Sequence, residues 1–557
     1  MARYAYERLS ALDAGFLWSE GPNQPMHIGG LAIFDAGSLR RRDGSIDARR
    51  YRDAVEGVLH WIPRYRQKIV WTPIEGWPIW VDDRHFDIGY HFRHIALPKP
   101  GTREQLKEIA ARIHARALDR RHPLWEVWVI EGVEGGEQFA LLNKIHHCMI
   151  DGAAGADLSQ ILLSTSATDQ PSKPLPYMPR PAPTSAELLR DSIGLGLSRP
   201  LKILREAALS SRPSPSRSIE ERSSPLETPA VGLEKRFRAM KDLMSQVLHT
   251  TTETPINGEL GPHRRLEWLT MPLADVRDLR KVLNCTVNDV VLATVAGAMR
   301  RYFFRRRVDH RDMKFRVATP VNTRRPEHDA RQGNHVATWI IPLPLDIDDP
   351  LEQVRAVQKE TELRKTSESA LVVDAITQLA EWVPAPLLAR GLGRMQSTGP
   401  VNMVVTNVPG PQIPLYMLGA RLLALYPLVP LMPGAGLGVA LFSYDGKLCW
   451  GFSADYELVP DLQDFVADVR EAFETLRHAT VAHFIDRRTA EPEASDVHAA
   501  EVAQSVSAES GSEGEVEERD EPGSEAIPDE GSPPPEIDIA PLPLDIETNG
   551  DLRSPGP

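Results

Sequence analysis

Two adjacent histidines, His146 and His147, open the string His146-His147-Cys148-Met149-Ile150-Asp151-Gly152. Imidazole is the side chain that takes and returns a proton near neutral pH without special tuning. Asp151 supplies a carboxylate able to orient a ring or hold a loop, and Gly152 allows a sharp backbone turn. The chemistry so spelled is acid–base work, with a histidine deprotonating a hydroxyl or assisting a leaving group. A plainer reading, a satisfied core histidine at a strand end, stands beside it, and the local residues leave both open.

Other chemistries find less support. The chain carries no G-x-S-x-G elbow, no H-E-x-x-H and no P-loop string, which removes the usual signatures of serine hydrolases, zincins and NTPases. His146, His147 and Asp151 are three candidate metal ligands in one stretch without a second Cys/His cluster, so no metal is expected. Cys148 could serve as a nucleophile beside His147, but a lone cysteine is more often a small buried hydrophobe. Three cysteines in 557 residues argue against a disulfide framework and for a reducing cytosol.

The elements that must position the histidines read as α/β. A strand over Gln138–His147 follows a strand over Trp125–Glu131 through the glycine-containing turn at 133–136. A strand at Gly30–Phe34 and helices at Ala48–His60, Arg103–Leu118 and Ala153–Leu163 complete a first unit, residues 1–168. Residues 169–262 form a connector. Prolines from Pro171 to Pro183 predict a semi-extended run, and helices are expected over Ala186–Leu209 and Leu233–Leu248. A second α/β unit, 263–489, is expected to hold strands at Arg265–Thr270, Phe315–Pro320, Val336–Leu343 and Met403–Val408. Its helices fall at Leu273–Leu283, Val287–Phe304 and Asp461–Leu476. The uncharged stretch Leu422–Tyr444 is long enough to cross a bilayer, but Pro427, Pro430 and Pro433 break any helix there. It reads as a buried loop followed by a strand at Leu437–Tyr444, turning at Asp445-Gly446 into Lys447–Ala454.

Charge is segregated. From Glu491 onward 19 acidic residues face 2 basic ones, about −17, so the rest carries about +4 of the net −13. Residues 490–557, acidic and rich in Pro, Ser and Gly, cannot bury enough apolar surface to order themselves and read as a disordered tail. The start lacks the apolar run of a signal peptide, and a cytoplasmic location is expected.

The histidine string resembles the HHxxxDG motif of CoA-dependent acyltransferases, and its surroundings resemble bacterial wax ester synthase/diacylglycerol acyltransferases. The resemblance rests on an ordered set of blocks. These are Leu9–Ala14, Pro25–Gly30, Pro123-Leu124-Trp125-Glu126, Asn288-Asp289, Gly333-Asn334 and Thr406-Asn407-Val408-Pro409-Gly410-Pro411. It implies two chloramphenicol-acetyltransferase-like subdomains with the active-site channel between them. His147 would be the general base and His146 its supporting neighbour; Asp151 either orients His147 or ties down the loop. Asn288 and Asp289 either cap a helix or support the reacting centre. Pro123, Leu124 and Trp125 either pack the hairpin or shape an acyl channel. The implied reaction moves a fatty acyl group from acyl-CoA to diacylglycerol or a long-chain alcohol, with CoA as product and no cofactor. It also implies peripheral contact with a membrane or lipid-body surface. A sister enzyme with a polyketide or sugar acceptor and an inactive lipid-binding paralogue are the rival readings. The run Arg300–Arg307 could close a helix end, meet anionic lipid or hold CoA phosphates; no recognition module accompanies it, and nucleic acid is not expected.

Overall fold

The computed structural model describes residues 4–149, 161–168, 173–193, 251–322, 336–365 and 401–508. Asp151, Gly152, Gly333 and Asn334 lie outside the described residues, as do residues 153–160 of one expected helix, 194–248 of the connector and the tail beyond Ala508.

Local chemistry sets the element ends. After β1 (Glu7–Arg8), Ser10 caps α1 (Ala11–Ser19) by accepting from the Asp13 amide. β2 (His27–Asp35) is followed by α2 (Ala48–Val58), capped by Asp47, and by the hairpin of β3 (Gln67–Trp71) and β4 (Pro78–Asp82). The short α3 (Ile88–His91) runs into β5 (Phe92–Ala96). Thr102 and Gln105 form a reciprocal capping box on α4 (Arg103–His114). β6 (Trp125–Val133) and β7 (Gln138–His146) then make the hairpin that the sequence announces.

The later elements are β8 (Arg264–Pro272), α5 (Leu273–Val282), α6 (Val287–Arg305), β9 (Arg316–Asn322), β10 (Val336–Pro342) and α7 (Pro350–Lys365). After them come β11 (Met403–Pro409), β12 (Tyr416–Met417), β13 (Ala420–Leu428), β14 (Leu437–Tyr444), β15 (Lys447–Asp455) and α8 (Leu462–Ala508).

Two six-stranded sheets result, ordered β12-β13-β2-β7-β6-β5 and β10-β9-β11-β14-β15-β8, with a small sheet β1-β4-β3 beside them. The first part of the stretch before Leu437, expected to be buried loop, is instead strand β13, through Leu428. β13 pairs antiparallel with β2 and so belongs to the first sheet although its sequence lies in the second half. Pro427 is tolerated there opposite Gly30. Where β13 meets β15, a side chain on Gly451 would collide with the Pro427 carbonyl, so only glycine fits.

The first sheet is buried on both faces. Phe139 and Leu141 of β7 pack into one cluster with α1, α2 and Trp125, while Ala140 and Leu142 pack into another with α4. The second sheet packs beneath α6, whose Val290, Val295, Met299, Tyr302 and Phe303 are buried in a large hydrocarbon core.

The described part of the Pro-rich connector is docked rather than free. Arg180 pairs with Asp82, Tyr177 donates to the Arg66 carbonyl, and Leu188 packs on Ile79 and Val81. α8 also corrects an expectation. It continues through the first part of the segment read as disordered, because Ala- and Glu-rich sequence forms helix without needing a core. Among the described residues no single helix is long and apolar enough to cross a membrane; α5 and α6 together satisfy length and composition, but with a 100° bend between them.

Candidate active site

β7 ends at His146, and His147–Met149 form a 3-10 turn directly after it. Backbone bonds fix this end. The His146 amide donates to the Leu124 carbonyl at 2.9 Å, and the His147 amide donates to the Met26 carbonyl at 2.9 Å.

The two rings have different surroundings. His146 is fully buried opposite His27 of β2. Its Nδ1 accepts the Cys148 amide at 3.2 Å, which leaves the hydrogen on Nε2. That Nε2 faces the Glu20 carboxylate at 3.6 Å, an electrostatic contact rather than a hydrogen bond. Glu20 also accepts from the Met26 amide at 3.2 Å and from Arg120 at 2.6 and 2.9 Å. Burial alone would raise its pKa, but His146 and Arg120 outweigh that and hold it at about 2.

His147 stacks on Phe16, ring centroids 3.8 Å apart. Burial lowers its pKa to about 4, against an upward pull from its own backbone and with a further downward push from His146. The ring is therefore neutral at pH 7 and able to accept a proton. Burial also pushes the Cys148 thiol well above its usual range, so it stays protonated and is a poor nucleophile. Among the described residues no three His, Cys, Asp or Glu side chains gather as a metal site would require.

Behind the histidines lies a buried polar group that the sequence did not single out. Lys144 donates to the carbonyls of Ile113 and Arg116 at 3.0 and 2.6 Å, and Nε2 of His27 lies 2.8 Å from the His114 carbonyl. Together they satisfy the C-terminal carbonyls of α4. Burial brings Lys144 down to about 8 and His114 to about 3.

Leu124 and Trp125 are core residues. Trp125 donates to the Tyr65 carbonyl at 2.7 Å and stacks on His91 at 4.4 Å, while Leu124 contributes the carbonyl that holds His146. In the second half the α6 cap is Thr286; Asp289 completes the capping box and accepts from Thr361 at 2.8 Å. Asn288 accepts from Asn407 of β11 at 2.9 Å, joining two blocks of the sequence pattern that are far apart in the chain. The basic run at the end of α6 is engaged with acidic residues. Arg300 pairs with Asp348, Arg301 with Glu471, Arg305 with Asp468 and Arg306 with Asp461, which clamps α6 to the start of α8 and its neighbours.

Residues 20–26, which carry Glu20 and Met26, also reach the second half. Arg264, itself paired with Asp455, donates to the Asn23 carbonyl, and Gln24 donates to the Leu431 carbonyl at 3.4 Å.

The two six-stranded sheets make a mixed α/β fold that is shared with solved acyltransferase structures. It is similar to a wax ester synthase/diacylglycerol acyltransferase from Marinobacter aquaeolei VT8, with a TM-score of 0.57 and 22% identity over 85% of this chain and 99% of that one. It is also similar in fold to a trichothecene 15-O-acetyltransferase from Fusarium sporotrichioides, with a TM-score of 0.53 and 11% identity over 85% and 96% of the two chains.

The wax ester synthase/diacylglycerol acyltransferase catalytic domain matches residues 9–291, and the C-terminal domain of the same family matches residues 332–477. A Mycobacterium tuberculosis H37Rv relative named for diacylglycerol O-acyltransferase activity is 31% identical over 484 residues, 85% of this chain and 90% of its own. Another so named, from strain CDC 1551, is 30% identical over 486 residues, 86% of this chain and 98% of its own. The chain belongs to the wax ester synthase/diacylglycerol acyltransferase family and is an acyltransferase.

Proposed function

We propose that this enzyme transfers a fatty acyl group from acyl-CoA to the hydroxyl of diacylglycerol, giving triacylglycerol, or of a long-chain alcohol, giving a wax ester. His147 is the general base. The observation that carries this role is a neutral, desolvated imidazole fixed at the end of β7 by the Met26 carbonyl and the face of Phe16.

A thioester is already activated, so the protein must supply a base and a stabilised oxyanion. Nδ1 of His147 is buried with no hydrogen-bond partner among the described residues, and we assign the accepting role to Nε2. Nε2 takes the hydroxyl proton as the alcohol oxygen attacks the thioester carbonyl. The tetrahedral intermediate collapses with cleavage of the carbon–sulfur bond, and the imidazolium returns its proton to the CoA sulfur. No cofactor enters this sequence.

The acceptors are lipids, and contact with a membrane or lipid-body surface accords with the net positive body and with exposed Trp61 and Ile74, the latter at the β3–β4 turn and 83% exposed. Purified enzyme with palmitoyl-CoA and either hexadecanol or dipalmitoylglycerol tests the proposal by free thiol and lipid product. Stoichiometric ester and thiol with at least one acceptor is expected. Thiol release without ester, or no reaction with either acceptor, would refute it.

A further inference from the structure

The geometry points to Glu20, held by Arg120, as the positioning residue that fixes His147 from both sides of its backbone. This inference rests on His147 being the base.

On one side, Glu20 accepts the Met26 amide, and the carbonyl of the same residue accepts the His147 amide. On the other, Glu20 faces Nε2–H of His146, whose Nδ1 accepts the amide of Cys148, the residue following His147. The two amides that bracket the His147 side chain thus lead back to one carboxylate.

Two features make this more than a buried ion pair. Arg120 binds Glu20 and also donates to the Leu17 carbonyl at 2.7 Å, so the carboxylate is anchored to the end of the helix that carries Phe16. That helix brings Phe16 under the His147 ring, so ring face and flanking amides are set by one network. The fixed tautomer of His146 supplies the second feature. With Nδ1 accepting, its Nε2–H is turned toward the carboxylate, and the opposite tautomer would present a bare nitrogen to Glu20 and a donor to the Cys148 amide. Glu20 therefore selects the tautomer that grips the turn. Sub-ångström placement of a base governs turnover far more than substrate affinity.

The test compares kcat and KM in the palmitoyl-CoA assay for Glu20→Ala, Glu20→Gln, His146→Asn, His146→Gln, His146→Ala and His147→Ala, with melting curves for each. Glu20→Ala is expected to lower kcat by roughly a hundredfold with KM for palmitoyl-CoA unchanged. Glu20→Gln keeps an acceptor for the Met26 amide and should retain more turnover than Glu20→Ala.

His146→Asn keeps an acceptor where Nδ1 stands. It should outperform both His146→Ala and His146→Gln, which keeps a donor near Nε2 instead. A merely structural role would give losses that follow melting temperature and not this order. A folded Glu20→Ala enzyme with parental kcat would overturn the inference, as would His146→Gln matching or exceeding His146→Asn. If Glu20→Ala does not fold, the comparison of His146→Asn with His146→Gln decides alone. His147→Ala separates the two claims. Parental turnover in that variant removes the base itself, whereas a large loss there beside unaffected Glu20 and His146 variants removes only the positioning role.

Discussion

The two sheets are built from opposite materials. Around the first, burial takes in His27, His91, His114, Lys144 and His146, all ionisable side chains in a protein interior. Around the second, α6 and β14 bury Val, Leu, Ala, Met and aromatic side chains. Its buried charges are confined to the Arg264–Asp455 pair and to Asp289 in its capping box, among the described residues. Buried ionisable groups are costly, and they are retained where their partners are fixed. The contrast separates a half organised to hold proton-active groups from a half organised to be a rigid hydrocarbon support.

The widest contrast is expected in turnover. His147→Ala should reduce kcat by about two to four orders of magnitude with little change in melting. Loss of activity only in step with unfolding would place the histidine with the scaffold.

Acid should discriminate next. His91 and His147 sit at about 4 and His114 at about 3 in the folded chain, below the 6.5 of an unperturbed histidine. The unfolded chain therefore takes up protons first as pH falls. The stability these groups contribute is fully present above about pH 6.5 and is lost progressively toward pH 4 and 3. Glu20, held at about 2, adds a further loss as pH falls from about 4.5 toward 2. Hydrogen exchange corrected for intrinsic rates should show β2 and β7 losing protection near pH 5 before β14 and β15 do. Simultaneous loss across both sheets would erase the distinction.

On the hydrocarbon side, Leu441→Ala removes a fully buried β14 side chain and should cost about 2–5 kcal/mol in denaturant unfolding. The acid limb of kcat should stay in place, and a shifted limb would show that the support tunes the base.

The smallest stability effect is expected from removing residues 489–557. Melting and acyl transfer should be nearly unchanged, while binding to anionic vesicles strengthens, since the remaining chain is about +4 where the whole is −13. The gain should fade as the Debye length shrinks from about 10 Å at 0.1 M salt to about 3 Å at 1 M. Equal vesicle binding at low salt would show that the acidic segment is no electrostatic brake.

Strands with strong local patterning were legible. β14 was read at Leu437–Tyr444, and the β6–β7 hairpin was read with its turn. β13 was not, because Pro427 and Pro430 argue locally against a strand and the partner that overrides them, β2, lies near the other end of the chain. The extent of α8 was missed for the opposite reason, since its continuation needs only local helix bonds and no apolar stripe. At the site, the histidine string and its neighbours carried a pattern, but Glu20 and Arg120 did not. Nothing local marks Glu20 as buried, and its partners Arg120 and His146 are distant in sequence. The cations of Arg300–Arg307 were visible, while the acidic residues at the start of α8 that receive three of them, Asp461, Asp468 and Glu471, were not.

The pairing of β13 with β2 also bears on how the chain is made. β2 and β7 leave the ribosome early, but the free edge of β2 has no strand beside it until synthesis has passed Leu428. An open edge is a template for pairing with other chains, and such long-range pairing is slow. The nascent enzyme therefore holds an incomplete sheet through most of its translation, and a fragment ending after Asp289 would keep that edge open permanently. The sheet whose strand β7 ends at His146 is begun first and closed late.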